Sequence, residues 1–122
     1  MIIEKISKAI WKEFIYGGHL QTLGAVSIVF VSTALLNVKI SWDILLISYL
    51  LFYPLYLYNR FKELEVDYLT NPQRTTYLKT YINKTPIILT LVIFILIWNL
   101  IYFANFSFIL FALLVLLLGL LY

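Results

Sequence analysis

Apolar residues in this chain run in long blocks, with neither the three-to-four-residue spacing of a surface helix nor the alternation of a half-exposed strand. Four blocks stand out, at about 20–36, 42–58, 85–104 and 106–122. Each approaches the roughly 20 residues that cross a ~30 Å hydrocarbon core at ~1.5 Å per residue. Backbone groups find no water in lipid, so such blocks become helices unless a barrel closes, and the alternation of barrel strands is absent. The expectation is an all-α membrane protein of four transmembrane helices, one helical domain over 1–122, with a polar loop over about 59–84 that holds a short helix. The first block starts too far in for a signal peptide, and no small-residue cleavage site precedes the next apolar run, so it is expected to be a retained span.

Composition strengthens the membrane reading. Residues are 63% hydrophobic and only 12% charged, with a mean hydropathy of +0.95, against about a quarter charged in an ordinary soluble domain. Charge then orients the spans. Lys5, Lys8 and Lys12 precede the first block, and Arg60, Lys62, Arg74, Lys79 and Lys84 fill the middle loop; Lys39 stands alone between blocks one and two, and no basic residue separates blocks three and four. By the positive-inside bias, the amino terminus and the middle loop face the cytoplasm of an integral, multi-pass membrane protein. The net charge of +3 is then a topology signal, and no basic stripe with exposed aromatics points to nucleic acid as a partner. Cysteine is absent, which removes disulfides, thiolate nucleophiles and cysteine metal sites.

Against this background the stretch NRFKELEVD, residues 59–67, is unusual, because it holds half of the chain's six acidic residues, Glu63, Glu65 and Asp67. If the second helix runs on past Tyr58, Asn59, Glu63 and Asp67 fall at i, i+4 and i+8 on one face, along ~12 Å of helix. Oxygen ligands in that pattern suit a hard cation such as Mg²⁺, which keeps several waters and shares its shell with substrate phosphates. Arg60 and Lys62 flank the stripe and are candidates to pair with phosphate oxygens. The same residues also read as a solvated helix end carrying ordinary i, i+4 pairs. Pro54, inside the second block, removes a helix hydrogen bond, which membrane proteins tolerate where packing or a cavity satisfies the freed carbonyl.

NRFKELEVDYLTNPQRTTYL resembles the first aspartate-rich motif of the UbiA superfamily of intramembrane prenyltransferases, written NDxxDxxxD and placed at the cytoplasmic end of the second transmembrane helix. Asn59 matches the motif asparagine, Glu63 stands at the first spaced aspartate, and Asp67 matches the last; Arg60 replaces the acidic residue after the asparagine. The resemblance implies that Asn59, Glu63 and Asp67 hold Mg²⁺, and that Arg60, Lys62 and Arg74 bind the diphosphate of an isoprenyl diphosphate. It further implies transfer of the isoprenyl group to a lipophilic acceptor in the bilayer, within a helical bundle of which this chain is the N-terminal half. Residues 68–122 contain no Asp or Glu, so the second acidic motif of that family is expected from a complementary half or another copy of the chain. The last block ends at Tyr122 without a basic flank, which reads as a fragment. The competing expectation is a non-catalytic multi-span protein that binds partners or lipid.

Other polar residues carry smaller expectations. His19 and Gln21 sit at the mouth of the first block, as hydrated groups or facing the same vestibule. Gly17, Gly18 and Gly24 suit a loop and close helix packing. Asn99, inside the third block, is expected to hydrogen-bond a neighbouring helix. Asp43 is expected to cap the second span, and Pro86 to open the third.

Overall fold

A computed structural model describes all residues, 1–122. The chain is 87% helical with no strands. Seven helices follow in order: α1 (Ile2–Tyr16), α2 (His19–Leu35), α3 (Trp42–Lys62), α4 (Leu64–Thr70), α5 (Pro72–Lys79), α6 (Thr85–Phe103) and α7 (Phe106–Leu121). A 3-10 turn at Ile82–Lys84 leads into α6.

Two helical stretches are long and apolar enough to cross a membrane, α3 and Ile82–Phe103. The pair α1 and α2 makes a third only if the 57° bend between them lies within one span. Helix α7, at 16 residues, reaches ~24 Å, short of a ~30 Å core. The structure therefore carries two to three candidate spans, and the apolar blocks of the sequence coincide with α2, α3, α6 and α7 to within a few residues.

Helix α3 is the axis of the fold. It packs against α2, α6 and α7, and buries Ile47, Leu50, Leu51, Tyr53, Leu55 and Leu57 along its length. One core cluster joins Ile47, Leu50 and Leu51 to Leu96 and Leu100 of α6 and Ala112 of α7. A second joins Tyr53 and Leu57 to Leu64 of α4 and Leu78 of α5. At Gly119 of α7 a β-carbon would come within 2.8 Å of the Leu55 side chain, so glycine is what lets the two backbones approach. Only 20 of 122 residues are buried. The outward faces of α6 and α7, with Leu91, Phe94, Trp98, Phe111 and Leu114 exposed, are too apolar for water and fit lipid or a neighbouring helix.

Local chemistry explains the boundaries. Asn105 accepts from the Phe108 amide at 2.9 Å and caps α7, and Asn71 accepts from the Arg74 amide at 3.1 Å and caps α5, with Pro72 at the first helical position. Pro86 stands in the first turn of α6, as the sequence predicts. Asp43 lies in the first turn of α3, but Ser41 occupies the cap and no side chain bonds the free amides there. Pro54 leaves α3 unbroken, buried against its neighbours. Asn99 differs from expectation: its Nδ2 donates to the Ile95 carbonyl of its own helix at 2.8 Å. A carbonyl one turn back is always within reach, so the group is satisfied without a partner helix.

Candidate functional site

The polar end of the bundle gathers the carboxy-terminal half of α3, the junction of α1 and α2, and the short helices α4 and α5. Helix α3 does not run straight on through the acidic stretch. It stops at Lys62, and Glu63 leaves helical geometry (φ −108°, ψ 18°) before α4 begins at Leu64. Amide-to-carbonyl bonds still bridge the break, from Glu63 to Asn59 at 3.1 Å and from Asp67 to Glu63 at 2.9 Å. Leu64 beside the break is buried in the core cluster of Tyr53, Leu57 and Leu78. Asn71 then turns the chain with an extended backbone, as a residue before proline must, and α5 folds back toward α3.

That turn changes the role of Asp67. Its carboxylate is mostly buried (side chain 11% exposed) and accepts from Arg60 Nη1 at 2.7 Å, while Arg74 Nη2 approaches the same oxygen at 3.4 Å. Glu63, more than half exposed, lies at the rim, 3.5 Å from Arg60 Nη2. Arg60 also stacks over the Tyr56 ring, 5.4 Å from its centroid. Two guanidiniums thus share one buried carboxylate, with the second carboxylate, Glu63, balancing the charge from the rim. The Nε atoms of Arg60 and Arg74 and the Tyr56 hydroxyl are buried without a hydrogen-bond partner. Buried donors of this kind cost about 1–3 kcal/mol each unless something accepts from them.

Of the residues singled out in the sequence, the structure brings together Arg60, Glu63, Asp67 and Arg74. Asn59 stays half-buried on α3, and Lys62 is exposed, lining an outer cleft of about 410 Å³ with Glu65 and Lys79. Asn59, Glu63 and Asp67 do not share one continuous helix, since α3 ends at Lys62, and Asp67 is buried beside the arginines while Glu63 is more than half exposed. No group of three or more His, Asp or Glu side chains is placed to hold a metal ion. One oxygen of each carboxylate, Asp67 Oδ2 and Glu63 Oε2, is taken up by a guanidinium.

A second network, beyond the sequence reading, lies beside the first. Glu13, at the end of α1, accepts from the Tyr77 hydroxyl of α5 and meets His19 Nε2 at 3.3 Å. The other ring nitrogen of His19 bonds the Tyr49 hydroxyl, and its ring stacks on Tyr53 at 4.7 Å between centroids. Tyr16 donates to Gln73 at 2.9 Å. Burial, then the bond to Glu13 and its negative charge, push the Tyr77 hydroxyl up to about 12; burial and Glu13 raise Tyr81 as well. The sequence did carry a signal, since Tyr49, Tyr53 and Tyr56 recur on one face of α3.

Comparison with protein-family models, curated proteins and solved structures gives no match to the chain.

Proposed function

We propose that this is an integral membrane protein that binds an amphiphilic phosphate ester, an isoprenyl diphosphate, with its head at Arg60 and Arg74 and its tail along the apolar helices. The observation that supports it most is the shared carboxylate. Two guanidiniums converge on Asp67, and their Nε donors have no hydrogen-bond partner within the fold, a donor set whose chemistry matches anionic oxygens. The sequence resemblance to intramembrane prenyltransferases supplies the substrate class. In that reading four spans, α2, α3, α6 and α7, place the site at the cytoplasmic face, as the distribution of Lys and Arg favours.

Departure of diphosphate from an allylic carbon needs the leaving charge neutralised away from water, and Arg60 and Arg74 provide that stabilisation at the membrane surface. Asp67 holds the two guanidiniums together and the Tyr56 ring stacks against Arg60. A second acidic cluster, and with it capacity for Mg²⁺, would come from a complementary half or another copy of the chain. Transfer to a lipophilic acceptor would then take place between the halves.

The reading is tested on the full chain in lipid nanodiscs, by equilibrium binding of a non-hydrolysable isoprenyl diphosphate with and without Mg²⁺. Saturable binding that survives chelation and is competed by inorganic diphosphate, but not by the isoprenyl alcohol, is the expected result. Binding competed equally by the alcohol would show a tail-only lipid groove, and would favour the alternative of a non-catalytic, lipid- or partner-binding protein.

A further inference from the structure

Helix α1 has a face that nothing in the protein covers. Ile3, Ile6, Ile10 and Trp11 are each more than half exposed, and no residue of α1 is buried. These residues and Phe14 line one shallow apolar groove. The opposite face carries Lys5, Lys8 and Lys12 at i, i+3 and i+7, which border a cleft against Tyr77 of α5. Lys8 pairs with Glu4 at 2.6 Å, whereas Lys5 and Lys12 form no ion pair. Two facts fix where this helix sits. Bonds from Glu13 to Tyr77 and from Tyr16 to Gln73 hold it beside α5, at the polar end of the bundle. The 57° bend at Gly17 and Gly18 turns it away from the axis of α2.

A helix with one apolar face, one lysine face and a covalent join to the apolar helix α2 meets the conditions for lying in the interface plane. We propose that α1 rests on the bilayer surface, apolar face in the acyl boundary, and that its lysines select anionic phospholipid headgroups. The inference rests on the membrane reading of the chain and is independent of diphosphate binding. Lys5 and Lys12, being unpaired, carry most of the attraction, because Lys8 is partly neutralised by Glu4. Glu13 does not oppose it, since its carboxylate is turned to His19 and Tyr77. Anionic surface potential attracts such lysines within a Debye length, so the selection weakens as salt rises.

The test uses the full chain with Trp42→Phe and Trp98→Phe, so that Trp11 is the sole tryptophan, reconstituted in vesicles of phosphatidylcholine with or without phosphatidylglycerol. Lipids brominated near the headgroup end of the acyl chain should quench Trp11 more than deeply brominated ones, and phosphatidylglycerol should increase that quenching. High salt, and the triple change Lys5→Gln, Lys8→Gln, Lys12→Gln, should each remove the increment due to phosphatidylglycerol. The salt arm needs no variant, so it stands even if the triple change disturbs folding. Trp11 quenched by aqueous iodide but by no bromolipid would place α1 in water and overturn the proposal. A blue-shifted Trp11 quenched by neither would show a protein partner on this face, and quenching indifferent to phosphatidylglycerol and salt would remove the headgroup selection; either result overturns it too.

Discussion

Replacing Asp67 by Asn keeps the volume of the side chain and removes its charge, leaving Arg60 and Arg74 facing each other across a neutral amide. Removing one partner of a buried pair costs about 3–5 kcal/mol, because the remaining charge is stranded. Two features of the structure reduce that figure. Glu63 still lies 3.5 Å from Arg60, and the guanidiniums are 23% and 16% exposed, so water reaches them in part. The expected loss is therefore about 2–3 kcal/mol, near one charge-assisted hydrogen bond plus part of the desolvation of the second arginine. Helical ellipticity followed through a denaturant titration in detergent micelles reads it as a lower midpoint at unchanged slope. Adding Arg74→Gln to Asp67→Asn should recover part of the loss, since it removes one stranded charge, giving a coupling of about 1–2 kcal/mol in the double-mutant cycle. Inorganic diphosphate should stabilise Asp67→Asn more than the parent, because both guanidiniums are then free to receive it. A single variant within about 0.5 kcal/mol of the parent, the range of ordinary surface changes, would show that the ion pairs are solvated and would refute the reasoning.

Gly18 adopts φ +96°, and a β-carbon there would stand 2.5 Å from the Tyr56 ring; Gly18→Ala should lower stability by about 1–3 kcal/mol in the same titration, whereas Gly24→Ala, with open space around it, should not. The Tyr77 hydroxyl, raised from 10.0 to about 12, keeps its proton in the fold after the unfolded chain has lost it. Its contribution is intact below pH 10 and is lost as pH rises through about 12, so thermal stability should fall across that window and Tyr77→Phe should flatten the fall. Single cysteines at Gln73 and Asn37, in a chain without native cysteine, should label from the cytoplasmic and the opposite side respectively; labelling of Gln73 only from outside would invert the orientation.

The positions of α2, α3, α6 and α7 were legible in the sequence because long apolar blocks without strand alternation read as helices. The blocks expected at 42–58 and 85–104 became Trp42–Lys62 and Thr85–Phe103. The break at Glu63 was not legible, since no glycine or proline marks it. It coincides with Leu64 entering the core cluster and Asp67 turning to the arginines, neither of which local propensity records. The sequence pattern puts Asn59, Glu63 and Asp67 on a metal-binding stripe; in the structure Asp67 pairs with Arg60 and Arg74. Such a pairing depends on α5 folding back over α3, a tertiary event. Helix α1 shows the converse. Its apolar positions at Ile3, Ile6, Ile10 and Phe14 follow a helical period, and its lysines carry the topology signal on the opposite face.

The central claim is that Arg60 and Arg74 together hold the phosphate head of an amphiphile at one face of a membrane. Equilibrium binding of a non-hydrolysable isoprenyl diphosphate to nanodisc-embedded protein measures it most directly, comparing the parent with Arg74→Gln and Arg74→Lys. Loss of a charge-assisted bond worth about 1.5–3 kcal/mol predicts roughly a 10- to 150-fold weaker affinity for Arg74→Gln, with only partial recovery in Arg74→Lys, which keeps the charge but lacks the planar fork. Equal affinity in all three proteins, each still folded, would contradict the account.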